Sequence, residues 1–352
     1  MSDLEGRKSD HITLCATGDV GFRATGTLLD GVRFLHDSLP ELEVDAIDLR
    51  TRILGKVLRA PIVIASMTGG TERAAQINRE LASIAEERGY GFGLGSQRAM
   101  MKRPESRSSY AVRDVAPTTL VLGNVGGVQV ARSSSEEIAA LVDAASADAL
   151  CVHLNPAQEI VQPEGDRDFR GVVEGIGRLV RDLRVPIVAK ETGCGIGPSA
   201  AAKLRGVGVR HVDVSGAGGT SWVGVETLRA EGRDAAKAAL GEAFWDWGIP
   251  TAVSTAICAR AGFSTVIATG GISRGLDVAR AIALGASAAG IARPVLRALH
   301  EGGRVGAIAF LEEVEAELRT AMLLVGAADV ESLRRAPKII GGDLAHWLRA
   351  LE

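Results

Sequence analysis

The sequence predicts a (β/α)8 TIM barrel with an N-terminal extension and C-terminal helices, and three observations carry that expectation. Eight short β-rich runs, mostly apolar throughout as a sheet covered on both faces requires, fall at 61–66, 91–95, 119–123, 148–153, 186–190, 210–215, 265–269 and 287–291. Helical patterns lie between them. The 43 glycines suit the tight strand-to-helix loops of a closed barrel. An open doubly wound sheet is the alternative, but it normally carries a GxGxxG after its first strand, and here the first run leads into SMTGGT.

In chain order, residues 1–60 form the extension, 61–300 the barrel and 301–352 a helical cap, together one domain. After the first run, Ala74, Ile77, Leu81, Ile84 and Ala85 recur on one helical face and stop before Gly89, a left-handed terminator. An insertion at 220–250 containing Trp222, Trp245 and Trp247 follows the sixth run, where barrels carry lids. Residues 277–284 read as a short helix ending at Gly285, and the cap presents Ile308, Leu311, Val314 and Leu318.

A net charge of −3, from 40 basic and 43 acidic residues, argues against a nucleic-acid or anionic-membrane binder. No run of about 18 apolar residues offers a membrane span. The charged N-terminus lacks the apolar core of a secretory signal, and the four cysteines (15, 151, 194, 258) are scattered without CxxC spacing, so a reducing cytoplasm is expected.

Side chains at the C-terminal ends of barrel strands converge on one face, so these positions are read together. They supply Ser66, Met67 and Thr68; Ser96; Asn124; His153 with Asn155, Gln158 and Glu159; Lys190; Ser215 with Thr220; Gly270, Gly271 and Ile272; and Ala292 with Arg293. Any one is explicable as a turn or cap residue, but the whole set is not. TGGISRG and GIARP follow the seventh and eighth runs, where this architecture commonly binds phosphate on backbone N–H groups, and SGAGGT after the sixth offers a similar turn. Plain glycine turns are the competing reading; together the runs point to a phosphate-bearing cofactor.

Lys190 ends VPIVAK, and an ammonium in the mouth needs an anion such as a reduced flavin; a Schiff-base role or a surface lysine are the alternatives. In HLNPAQE, Glu159 either holds a substrate-bridging Mg²⁺ or caps the next helix. His153 either donates to a phosphate or sits inertly in the core. Arg7, Lys8 and His11 of RKSDH, with Arg98 of SQR, carry enough charge for a diphosphate, although a charged N-terminus alone reads as a solvated tail.

The motifs RKSDH (7–11), SMTGG (66–70), GLGSQR (93–98), GNVG (123–126), HLNPAQE (153–159), KETGCGIG (190–197), VSGAGGTSW (214–222) and ATGGISRGLDVARAIALGAS (268–287) span nearly the whole chain. With them the sequence resembles the type 2 isopentenyl-diphosphate isomerases, which are FMN-dependent and interconvert isopentenyl and dimethylallyl diphosphates. The resemblance implies that Ser66, Met67, Thr68, Ser96, Asn124, Lys190, Ser215, Thr220, Gly270, Gly271, Ile272, Ala292 and Arg293 hold FMN. It implies substrate contacts from Arg7, Lys8, His11, Ser96, Arg98, His153, Asn155 and Gln158, with Glu159 on Mg²⁺ and with Gln158, Lys190 and His153 at the chemistry. Arg293 stands where a small residue is expected in many relatives, so a contact through its backbone N–H is the safer expectation. NADPH would prime the flavin, and relatives imply a homo-oligomer, tetramer or octamer.

Moving the double bond adds a proton at the terminal alkene carbon and removes one from C2, through a tertiary, cation-like state. Reduced FMN is the expected acid/base centre, without net redox change, while Lys190 supports its anionic charge and Gln158 orients the reacting carbons. The rival class is an FMN-dependent 2-hydroxy-acid oxidase. Such enzymes need a histidine base, and SGAGGTSW contains none. A non-catalytic flavin-binding barrel is the third reading, against which Gln158, Glu159 and Lys190 count.

Overall fold

The structure, a computed structural model, describes residues 3–351. Eight parallel strands close into a barrel: β1 (Ile62–Ile64), β2 (Gly91–Gly93), β3 (Val121–Gly126), β4 (Ala149–Leu154), β5 (Ile187–Glu191), β6 (His211–Asp213), β7 (Thr265–Thr269) and β8 (Ala288–Ile291). Each overlaps a predicted run, and β3 continues three residues past the predicted end at 123. Pairing of β8 with β1, with Ala289 opposite Ile62, closes the ring and eliminates the open sheet.

Strand side chains alternate between two faces, and that alternation fills the barrel interior. Val63, Leu122, Cys151, Val188, Ile267 and Ala288 meet in its centre. From below, Ile53, Leu54 and Leu58 enter the same cluster from a hairpin of Thr51–Ile53 and Lys56–Leu58 in the extension. Its two-residue turn places Leu54 (φ 50°) and Gly55 (φ 84°) in the left-handed region, as a hairpin matched to strand twist requires.

Helix α1 (Asp3–Thr17) crosses the opposite end of the barrel. Helix α2 (Glu72–Arg88) carries the predicted apolar face; the Thr71 hydroxyl accepts from the Ala74 amide at 3.1 Å, and Gly89 (φ 68°) ends it. The insertion after β6 folds as α3 (Trp222–Ala230) and α4 (Ala235–Phe244). Trp245 is buried, Trp222 lines the barrel mouth and Trp247 is exposed. Helix α5 (Gly275–Ala283) is the predicted short helix, and α6 (Arg293–Leu323) begins at β8 and kinks at Gly303. Leu311, Val314 and Leu318 are buried as expected, with Ile308 packed beside them. The strand Lys338–Ile340 pairs antiparallel with Val32–Phe34 and ties the cap to the extension; the sequence analysis does not foresee this because three residues are too few for alternation to register.

The α5–α6 contact is made backbone to backbone. The Gly275 amide donates to Glu317 Oε2 at 2.8 Å, and a Cβ at Gly275 would stand 2.1 Å from the Val314 carbonyl oxygen and 2.4 Å from the Leu318 nitrogen. Backbone cannot rotate aside as a side chain can. Gly275→Ala is therefore expected to destabilise the fold by about 1–3 kcal/mol, the range of core overpacking, read as a lower urea midpoint; an unchanged midpoint would contradict the contact.

Candidate active site

The alternation that buries the barrel centre also builds a polar floor one layer higher. Two residues beyond Leu122, Cys151, Val188 and Ile267 lie Asn124, His153, Lys190 and Thr269, which face a cavity of about 570 Å³ at the C-terminal ends of the strands. Every candidate site residue lines this one cavity. Ser66, Met67 and Thr68 reach it from β1, Ser96 and Arg98 from β2, and Asn155, Gln158 and Glu159 from β4. Ser215 and Thr220 follow β6, Gly270, Gly271 and Ile272 follow β7, and Ala292 and Arg293 follow β8. Arg7, Lys8 and His11 come from α1, which is a folded helix and not a solvated tail.

Lys190 is buried, and its ammonium lies 3.2 Å from Asp213 Oδ2 and donates to the Glu191 carbonyl at 3.0 Å. The anion it needs is thus already supplied by its register partner on β6, which the sequence analysis passed over. The other Asp213 oxygen accepts from the Ser215 amide at 3.2 Å and bends that residue into φ 35°. Next to Lys190, Glu191 Oε2 accepts from the amides of Thr192 (2.6 Å), Gly193 (2.7 Å), Gly195 (3.2 Å) and Cys194. Burial pushes the Glu191 carboxyl up, against those donors, to about 7. This carboxylate is the physical reason for the KETGCG run: it orders the loop whose Thr192 and Gly193 line the cavity.

His153 has a half-buried ring whose Nδ1 lies 2.9 Å from Asn124 Oδ1, while Asn124 Nδ2 donates to the Leu94 carbonyl at 3.1 Å. Burial, then the Lys190 and Arg98 charges, push the imidazole down to about 4. It is therefore neutral near pH 7, with Nδ1 the donor and Nε2 the acceptor. Pro156 opens the short helix Pro156–Val161, which carries Gln158 and Glu159. Asn155 Nδ2 donates to Gln158 Oε1 (3.2 Å) and Glu159 Oε1 (3.0 Å), and Glu159 Oε2 accepts from the Asp166 amide at 2.7 Å. Glu159 thus fastens the following loop instead of capping its own helix.

Beside these residues, Glu226 of α3 is fully buried at the junction of α1 and the β4 loop. Its Oε1 lies 2.8 Å from His11 Nε2 and accepts from Gln158 Nε2 at 3.2 Å; its Oε2 accepts from Arg229. Burial pushes this carboxyl up, but His11 and Arg229 more than offset it and hold it at about 2. With its amide nitrogen turned to Glu226 (3.2 Å), Gln162 accepts from Arg7 at 2.8 Å. Trp222 packs edge-on against His11, with ring centroids 5.1 Å apart. Lys8 donates to the Gly69 carbonyl and to the Tyr110 hydroxyl (3.0 Å), and burial, followed by Arg7 and Arg103, pushes its amine down to about 7. Arg7 and Arg98 face Glu164 (3.5 Å) and Asp166 (3.4 Å).

On the far side, the glycine turns after β6 and β7 press together. A Cβ at Gly219 would lie 2.3 Å from the Gly271 nitrogen, and one at Gly270 (φ 106°) would lie 2.1 Å from the Gly216 oxygen. Only glycine allows this approach. Arg293 points its guanidinium at α1, donating to the carbonyls of Gly18 (2.7 Å) and Cys15 (3.3 Å). The Thr269 hydroxyl is buried at the floor without a hydrogen-bond partner among the described residues. Cys194 has a half-buried thiol pushed up by burial and by Glu191, and nothing in its surroundings assigns it a role. Among the described residues, no group of three or more His, Cys, Asp or Glu side chains is placed to hold a metal, and no helix is long and apolar enough to cross a membrane.

Asp213, Glu226 and Thr269 are the residues that sequence reasoning missed. For Asp213 and Thr269 a signal existed: each continues its strand's inward alternation to the mouth. Glu226 had none, because its burial depends on α1 packing against α3.

Residues 152–339 match the profile of the FMN-dependent dehydrogenase family. Among curated proteins, the chain is 47% identical to the isopentenyl-diphosphate delta-isomerase of Methanococcoides burtonii over 95% of this chain and 91% of that one. The enzymes of the same name from Pyrococcus furiosus and Methanothermobacter thermautotrophicus are each 44% identical, over 97% and 98% of this chain and 88% and 96% of theirs. Among solved structures, a mandelate oxidase variant with a monooxide FMN adduct superposes with TM-score 0.65 at 20% identity, covering 97% of this chain and all of the other. Mandelate oxidase with benzoyl-formic acid gives 0.64 at 18%, over 97% and 98% of the two chains. At these identities the likeness establishes the barrel alone.

The neutral His153 sets a pH dependence. Its pKa lies near 4 when folded and 6.5 when not, so between these values the unfolded chain binds more protons and stability rises with pH. That contribution is complete above 6.5 and disappears as pH falls through 4. His153→Gln is expected to flatten urea-measured stability across pH 4–6.5; an undiminished slope would place the titrating group elsewhere.

Proposed function

The chain belongs to the isopentenyl-diphosphate delta-isomerase family and to the FMN-dependent dehydrogenase family of barrels, and from that premise we propose that it moves the double bond of isopentenyl diphosphate using reduced FMN and Mg²⁺. The observation that carries this reading is that a single cavity is lined both by the amide-bearing glycine turns with Lys190 and by Arg7, Lys8 and Arg98.

The residues fit FMN. An orphaned Thr269 hydroxyl, a buried ammonium and glycine turns too tight for any Cβ stand around a cavity of about 570 Å³, within the usual range of cofactor sites. Gly270, Gly271, Ile272, Ala292 and the Arg293 backbone N–H would hold the phosphate at the start of α6. Ser66, Met67, Thr68, Ser96, Asn124, Ser215 and Thr220 would hold the remainder. Reduced FMN supplies a proton donor and an electron-rich face beside the developing cation, and NADPH is the proposed reductant that primes it.

The protein's own part is electrostatic. Lys190, fixed by Asp213, supports negative charge at the barrel floor. Gln158, gripped by Glu226 and Asn155, orients the alkene carbons. Arg7, Lys8 and Arg98 bind the diphosphate, whose charge would offset the burial and the Arg7 repulsion that push the Lys8 amine down. His153 contributes an acceptor nitrogen and not a positive charge, while His11 and Asn155 complete the substrate side. Glu159 cannot enclose a metal alone, so Mg²⁺ there would complete its shell with water and phosphate oxygens.

The deciding assay supplies photoreduced, FMN-loaded protein with Mg²⁺ and isopentenyl diphosphate and measures acid-labile dimethylallyl diphosphate. No product at full FMN occupancy would refute the reading. Glu159→Gln is expected to weaken Mg²⁺-dependent substrate binding at least tenfold and leave FMN affinity within about twofold, since the loss of one carboxylate from such a site removes most of its charge; equal losses would contradict this division of roles. Lys190→Met is expected to lower kcat by about 10²–10³, the size of a lost electrostatic stabiliser, measured at saturating FMN and substrate.

A further inference from the structure

Helix α1 supplies the cations on the substrate side, yet it lies outside the main core. Its apolar face buries Ile12, Cys15 and Ala16, and Cys15 joins a satellite cluster with Val20, Val225 and Leu296 that is separate from the main core. A helix packed on such a satellite belongs to a less stable part of the fold than the barrel strands. It also ends in carbonyls that no further helical turn can satisfy.

Those carbonyls are taken by two arginines of α6. Arg293 donates to the oxygens of Gly18 at 2.7 Å and Cys15 at 3.3 Å, and Arg297, one turn later on the same face, donates to Ala16 at 3.1 Å. The chain then turns at Gly18, whose amide returns to Leu14 at 2.9 Å, and Gly21 packs 3.6 Å from the Arg293 guanidinium at the position of its absent Cβ. Two cations at the negative end of a helix also complement its dipole. The same α6 turn opens on the backbone N–H groups at the cofactor side of the cavity.

We propose that Arg293 and Arg297 are positioning residues that clamp the C-terminal end of α1 and thereby hold Arg7, Lys8 and His11 over the cavity. The link to substrate rests on the function proposed above; the clamp itself does not. Neither guanidinium acts on the reacting atoms. Both act through α1, which converts loss of a hydrogen bond at its end into misplacement of cations two to three turns away.

Hydrogen–deuterium exchange on the FMN-loaded protein tests the clamp without reference to activity. Arg297→Ala is expected to speed exchange of the 8–17 amides at least tenfold while the amides of β3 and β4 keep their wild-type rates, and Arg297→Lys, which retains a donor, is expected to restore most of the protection. In parallel, KM for isopentenyl diphosphate is expected to rise at least fivefold with kcat changed less than twofold. Unchanged α1 exchange in both Arg297→Ala and Arg293→Ala overturns the proposal. Faster α1 exchange with an unmoved KM keeps the clamp and removes the substrate role of α1 instead. Should Arg297→Ala not fold, the same comparison is read from Arg297→Met, which keeps the stem and removes the donors, where α1 protection equal to wild type together with full protection in Arg293→Met overturns the clamp.

Discussion

The ion pair between Lys190 and Asp213 is the interaction on which the rest of the site depends. Both side chains are buried, and either alone would be an uncompensated charge in a low-dielectric interior. Parallel pairing of β5 and β6 sets the two residues opposite each other, so the barrel's own register creates the pair. Its effect extends outward through Ser215. Accepting that amide, Asp213 turns the chain into the left-handed region immediately after β6, and this sends SGAGGT across to meet the turn after β7. The amide-lined wall of the cavity is therefore a geometric consequence of how one ammonium is neutralised.

The same economy of charge governs the opposite wall. Glu226 is buried and remains ionised because His11 and Arg229 surround it, and the oxygen it shares with Gln158 fixes that amide as well. Arg7 and Arg98 meet their carboxylates at 3.5 and 3.4 Å, longer than charge-assisted hydrogen bonds. They are oriented without being fully engaged. Lys8, by contrast, donates to uncharged oxygens, and burial with the neighbouring Arg7 and Arg103 charges penalises its ammonium. A dianionic or trianionic group entering between α1 and β2 would relieve that penalty, whereas a neutral molecule would not.

What was legible in the sequence follows from which features are local. Strand positions were readable because parallel strands are short apolar runs with fixed punctuation, and the strand-end residues fell into one cavity because the topology leaves them no other place. The turns at Gly89 and Gly285 were readable from a single residue's conformational freedom. Pairings between distant segments were not. Val32–Phe34 with Lys338–Ile340, Glu226 with His11, and Arg293 with Gly18 each join segments whose proximity is decided only after the barrel has closed. Asp213 lies between these cases: alternation along its strand faces it inward, but that it meets Lys190 follows only from the β5–β6 register.

The architecture also separates the part of the cavity that the barrel fixes from the part that it leaves free to vary. The floor and glycine turns come from the strands and their first loops, which the closed barrel constrains tightly. The other half comes from α1, α3 and the β4 loop, three segments outside the sheet that are free to change sequence without disturbing strand register. Their mutual contacts are largely polar, gathered around the buried Glu226, with a small apolar cluster beside them. Placing cations on such segments makes their position dependent on polar end-contacts that a barrel wall would not need. The arginine pair at the start of α6 answers that need from a helix whose first turn follows directly on β8.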